Sequence, residues 1–212
     1  MPEFAQLLEG YSRFRTSRWS EQRDRYGRLN HEGQAPALMV IACSDSRVDP
    51  AQIFDVTPGE IFVVRNVAAL VPPMETSPGL HGVSAALEFA VQVLKVKQIL
   101  VLGHGRCGGC KAALTQSLSG SKMGQGGFIA DWISMLDEVR TPITAKLGTE
   151  GRDAERAMEH AAVKVSLANL RTFPCVRSKE AEGTLTLRGA YFAISDGILH
   201  LLDEDTGTFS PA

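Results

Sequence analysis

The chain has no long apolar run: nowhere in its 212 residues do hydrophobic side chains follow one another far enough to span a bilayer. Its opening, MPEFAQLLEGYSRFR, lacks the apolar core of a secretory leader. Neither charge dominates, with 22 Lys and Arg against 24 Asp and Glu, which argues against a nucleic-acid or anionic-membrane surface. Repeats and low-complexity tracts are missing too. The glycine-rich stretch SGSKMGQGG (119–127) lacks the Gly-Lys-Ser/Thr spacing of a phosphate loop and reads as a mobile surface loop. These absences lead us to expect a cytoplasmic protein with no nucleic-acid and no membrane partner. Cysteine is scarce: Cys43, Cys107, Cys110 and Cys175 are the only four. A chain long enough to bury a core does not need staples, so these thiols read as metal ligands, catalytic groups or buried packing, not disulfides.

Three short apolar runs stand out: ALMVIA (37–42), IFVV (61–64) and QILVLG (98–103). None alternates with polar residues, the pattern of strands buried on both faces. Between the second and third, a helix is expected from about Gly79 to Leu94, with Leu80, Val83, Leu87, Val91 and Leu94 on one stripe. Another fits 153–170, where Met158, Ala162, Val165 and Ala168 share a face. Strands alternating with helices predict an α/β fold, a mostly parallel central sheet with flanking helices. TLTLRGAYFAI and GILHLLD flank Ser195-Asp196-Gly197 and should extend the sheet antiparallel. Ahead of this domain (31–212), Phe4, Leu7, Leu8, Tyr11 and Phe14 recur at helical spacing over 4–19, predicting an N-terminal helical arm (1–30).

Two of the buried runs end in chemistry. ALMVIA leads into CSDSR (43–47), and QILVLG into HGRCGGC (104–110). In open α/β sheets the functional crevice lies beyond the carboxyl ends of the strands, so Cys43, His104 and Cys107 converge there if the two strands are neighbours. Two thiolates and an imidazole suit zinc, and three protein ligands leave a position for water. Cys110 is the alternative fourth ligand of a closed structural site, but a helix starting near Cys107 would turn it into the core. A thiol–disulfide pair at Cys107 and Cys110 is a further reading; it leaves Cys43, His104, Asp45 and Arg47 without a role. His104 alone reads as a core histidine, and Asp45 with Arg47 as an ordinary ion pair. Their joint placement at two strand ends points to metal-assisted chemistry.

CSDSR followed by HxxCGG resembles the β-class carbonic anhydrases. The likeness continues through PGEIFVVRNVAALVPP (58–73), LHGVSAALEFAVQVLKV (80–96) and LRGAYFAISDGILHLLDEDTGTF, covering the chain from Gln34 onward. The resemblance implies one Zn2+ per chain on Cys43, His104 and Cys107, with Asp45 and Arg47 as a catalytic dyad. It implies reversible hydration of carbon dioxide to bicarbonate and a proton, zinc-bound hydroxide being the nucleophile that the dyad orients. With two thiolates offsetting the metal charge, activity should rise toward alkaline pH. The Gly108 amide, at the expected helix start, would meet a developing bicarbonate oxygen. By likeness to the plant-like branch, Gln34, Phe62 and Val67 line the substrate pocket. Phe89 stands where some relatives carry a tyrosine. Other relatives close the site using a pocket tryptophan; Val40 takes its place here, so the open-site branch is expected, while Arg65 matches both branches. A homodimer or homotetramer is implied, its N-terminal helix wrapping a neighbour. Hydrolysis of carbonyl sulfide or carbon disulfide, and a zinc-stabilised binding module, are the alternatives. His31, His81, His160 and His200 have no partner legible in sequence, and Cys175 reads as buried packing.

Overall fold

The computed structural model describes residues 3–212, so Met1 and Pro2 of the expected arm lie outside the described residues. Two helices come first, α1 (Phe4–Thr16) and α2 (Arg18–Glu32). Then follow β1 (Leu38–Cys43), α3 (Pro50–Ile53), β2 (Ile61–Asn66), α4 (Gly82–Glu88, continued by a wider π turn over Phe89–Leu94) and β3 (Gln98–His104). The second half holds α5 (Gly108–Thr115), α6 (Gly127–Ile133), α7 (Asp137–Leu147), α8 (Arg152–Leu170), α9 (Pro174–Ala181), β4 (Thr186–Ala193), β5 (Ile198–Asp203) and β6 (Thr208–Pro211).

The six strands form one sheet in the order β2-β1-β3-β4-β5-β6. Pairing is parallel from β2 through β4 and antiparallel from β4 to β6, as the sequence pattern predicts. β1 and β3 hold the centre; Met39, Val40, Ile41 and Ala42 are fully buried between helical layers. Met39, Ile41, Leu87, Ile99, Leu167 and Leu170 belong to one core cluster. A second, containing Cys43, Leu70, Cys107, Cys110, Leu114, Leu136 and Met158, lies under the carboxyl ends of β1 and β3. Gly103 lets α8 close on β3: a Cβ there would meet Val163 Cγ2 at 2.6 Å.

Four expectations need correction. β2 is an edge strand, half-exposed instead of buried on both faces; its apolar run has a neighbour only at β1. Leu80 is fully exposed, because the helix starts at Gly82; His81, whose Nε2 lies 3.0 Å from the Ser77 carbonyl oxygen, precedes it. The single helix expected over 4–19 breaks at Ser17 (φ −120°, ψ −85°), whose hydroxyl donates to the Arg13 carbonyl at 2.7 Å and competes with the helical pattern. α2 then folds back on α1 through Phe14, Trp19 and Tyr26, while Phe4, Leu7, Leu8 and Tyr11 stay exposed. On α8 the buried face is rotated: Val163, Ser166, Leu167 and Leu170 are buried with Met158 and Ala162, and Ala168 is exposed. No helix among the described residues is long and apolar enough to cross a membrane.

Candidate metal centre

β1 ends at Cys43 and its neighbour β3 at His104, so the two apolar runs deliver both side chains to one point. Cys107, the residue capping the start of α5, arrives from the loop after β3. All three are buried, and their ligand atoms lie within 4.8 Å of one another. His104 Nδ1 is 2.9 Å from the Gly105 carbonyl oxygen, which can only accept. That contact places the proton on Nδ1 and leaves the Nε2 lone pair pointing inward, where it is buried without a hydrogen-bond partner. The Cys43 thiol is pushed up to about 12 by the neighbouring Cys107 sulfur and by burial. Cys107 is likewise held at about 12, first by Cys110. Burial opposes charge on His104, but the Cys43 sulfur and the Asp45 carboxylate outweigh it and raise its pKa. Thiols held this high lose their protons when a metal cation binds them. A lone pair without a partner beside two such sulfurs is a donor set that fits Zn2+.

The CSDSR turn stands over this group. Asp45 Oδ1 accepts from Arg47 Nε at 2.9 Å and from the Arg47 backbone N–H at 3.0 Å. Its Oδ2 accepts from Arg47 Nη2 at 2.7 Å and lies 4.0 Å from His104 Nε2. The Arg47 guanidinium holds the Asp45 carboxyl well below the usual carboxylate range. Arg65, reaching across from β2, donates to the Cys43 carbonyl (2.9 Å), the Asp45 carbonyl (2.7 Å) and Asp49 Oδ2 (3.0 Å). The turn's backbone is therefore fixed independently of the Asp45 side chain.

Of the remaining candidates, Gly108 opens α5, and no atom lies near where its side chain would be. Val67 follows β2 and packs so closely on Gly109 that a Cβ there would sit 2.7 Å from Val67 Cγ1. Gln34, Phe62 and Phe89 are not brought to this point. Phe62 pairs with Met39, four residues before Cys43 and so about 13 Å back along the sheet, where its ring packs on Phe89. Gln34 is exposed ahead of β1. Cys110 is buried in the second core cluster, outside the ligand group, and Cys175 is half-buried. His160 stacks on Phe209 and, like His200, meets the ring of Tyr191 edge-on.

Sequence reading misses Glu159, an acid on α8 with 2% of its surface exposed. Arg152 grips both its oxygens, at 2.8 and 2.7 Å, and the Tyr191 hydroxyl donates to it at 2.9 Å. The Arg106 N–H, in the ligand loop, donates to it at 2.8 Å. The two-turn spacing of Arg152 and Glu159 is the one signal that could have marked the pair.

The family model described as carbonic anhydrase matches residues 38–199. A protein named carbonic anhydrase from Synechocystis sp. is 34% identical over 202 residues, 92% of this chain and 72% of that one. The solved β-carbonic anhydrase CcaA superposes with a TM-score of 0.89 at 32% identity, covering 98% of this chain and 91% of that one. A structure described among two tetrameric β-carbonic anhydrases from Sordaria macrospora gives 0.81 at 29% identity and covers 98% of each chain.

Proposed function

This chain belongs to the β-carbonic anhydrase family, and on that premise we propose that it holds one zinc ion per chain on Cys43, His104 and Cys107 and uses Asp45 and Arg47 to hydrate carbon dioxide reversibly. The observation that carries this reading is the buried, unpartnered Nε2 of His104, facing two sulfurs with an ionised carboxylate beside it. Zinc, when bound, would supply the Lewis acidity that ionises water near neutral pH.

The chain's own groups do the rest. The hydrogen bond from Nδ1–H to the Gly105 carbonyl fixes the tautomer and ring plane of His104. Asp45, held ionised by the Arg47 fork, accepts a hydrogen bond from the attacking oxygen and turns its lone pair toward the substrate carbon. The Gly108 N–H, in the unpaired first turn of α5, meets the oxygen on which charge develops. Val40 in place of a pocket tryptophan, together with Asp45 engaged by Arg47, supports the open-site form.

Val67 packs on Gly109, beside Gly108, in its own chain, whereas Phe62 and Phe89 stand back along the sheet and Gln34 ahead of β1, so a second copy would have to bring these three to a pocket. This fits a homodimer or homotetramer, and one of the similar structures is described as tetrameric. The exposed Phe4, Leu7, Leu8 and Tyr11 suit an arm (1–30) docked on a neighbour of the catalytic domain (31–212). A cytoplasmic setting and an absence of nucleic-acid partners complete the proposal. It is tested by stopped-flow hydration of carbon dioxide with the zinc-loaded chain: acceleration well above buffer is expected. A chain that holds zinc yet is inactive at pH 8 to 9 would leave a carbonyl sulfide or carbon disulfide hydrolase, or a zinc-stabilised binding module.

A further inference from the structure

Glu159 sits outside the residues assigned above, yet it grips the loop that carries two of them. Arg106 lies between His104 and Cys107 in the left-handed region (φ 58°), which side chains other than glycine rarely adopt. Its peptide groups are held from two sides. The N–H donates to Glu159 Oε1 at 2.8 Å, and the carbonyl accepts from Arg47 Nη2 at 3.0 Å. The same Arg47 nitrogen donates to Asp45 Oδ2 at 2.7 Å. Two sets of hydrogen bonds, joined across the Arg106 backbone, thus lead from Arg152 and Tyr191 through Glu159 to the dyad.

The geometry leaves this run little slack. A Cβ at Gly105 would lie 3.0 Å from the Tyr191 hydroxyl and 3.5 Å from Arg152 Nη2, so the loop rests directly on the network. Burial and the Glu159 carboxylate hold Tyr191 protonated, its pKa up at about 12, so its hydroxyl stays a donor. A buried carboxylate is costly unless every oxygen is occupied, and here both oxygens have two donors. Packing alone does not require that charge. The charge holds the N–H side of Arg106, and the carbonyl on the other side of the same residue is the acceptor that helps set where the Arg47 fork points.

We propose that Glu159 is a positioning residue for the Asp45/Arg47 pair, acting through the Arg106 peptide and not by contact with substrate. The inference rests on the dyad reading above. It is tested on the zinc-loaded full chain by Glu159→Gln, alone and combined with Arg47→Ala. In the otherwise native chain, Glu159→Gln should keep its zinc, lower kcat/KM about tenfold and speed hydrogen exchange at the Arg106 amide more than at neighbouring amides. In the Arg47→Ala background it should cost no further activity, because the route to Asp45 is already cut. Losses that multiply, or unchanged exchange at Arg106, would overturn the inference and leave Glu159 a fold-stabilising ion pair. If Glu159→Gln does not fold, Tyr191→Phe removes one donor while keeping the carboxylate. It should show the same two effects, smaller and equally dependent on Arg47; independence from Arg47 would overturn the proposal. Full activity in Arg47→Ala alone would remove the dyad itself, a result distinct from failure at Glu159.

Discussion

Replacing Arg47 by alanine removes two of the three donors to Asp45, Nε at 2.9 Å and Nη2 at 2.7 Å, and the 3.0 Å contact to the Arg106 carbonyl. The Arg47 backbone N–H still reaches Asp45 Oδ1, and Arg65 still holds the Asp45 carbonyl, so the backbone stays while the carboxylate, left with one donor of three, loses its fixed orientation. Arg47 is about half exposed, so solvent takes up much of the lost energy, and the stability change should be only about 1 kcal/mol at neutral pH. The sign follows from linkage: the folded pKa of Asp45 is depressed, so this contribution is full above the unfolded carboxylate value and disappears as pH falls through the folded one. At pH 7 to 8 the aspartate stays ionised in the variant, so the rate falls through lost orientation and not through protonation. A misplacement of about 1 Å costs about 100-fold, and the expected loss in kcat/KM is therefore roughly 10- to 100-fold. Stopped-flow hydration paired with metal analysis reads both quantities. Full activity, or a rate loss that merely tracks lost zinc, would refute the orienting role.

Cys43→Ser should lose most of its zinc by metal analysis, whereas Cys110→Ser, altered in the core and not in the ligand group, should retain it; the reverse pattern would restore a redox or structural centre. His160 is held near pKa 4 by burial and by the cations Arg156, Lys164 and Arg152 together with His200. Its neutral form therefore favours the fold fully above about pH 6.5, and that advantage fades by about 2 kcal/mol as pH falls to 4. His160→Phe, which keeps the stack on Phe209, should show a smaller acid loss in urea melts than the native chain; parallel pH curves would contradict this.

The central strands are legible because ALMVIA and QILVLG are buried on both faces and carry no polar interruption. IFVV has the same composition at the sheet edge, a difference that composition does not encode and only strand order reveals. Leu80 and Ala168 are misread because periodicity extends a stripe past the point where His81 ends it, or assigns a helix face without knowing what α8 packs against. The convergence of Cys43, His104 and Cys107 is readable, since each follows a buried run and the strands are adjacent. Glu159 is not: an acid beside an apolar stripe ordinarily faces water, and its partners come from two turns earlier on α8, from β4 and from the ligand loop.

Zinc titration of the metal-free chain, with carbon dioxide hydration as the readout, decides whether the metal on Cys43, His104 and Cys107 carries the reaction. Activity should rise in proportion to added zinc, reach its plateau at one equivalent per chain, and stay near the buffer rate throughout in Cys43→Ser. Activity that ignores zinc, or a fully loaded chain that does not hydrate carbon dioxide at alkaline pH, would contradict it.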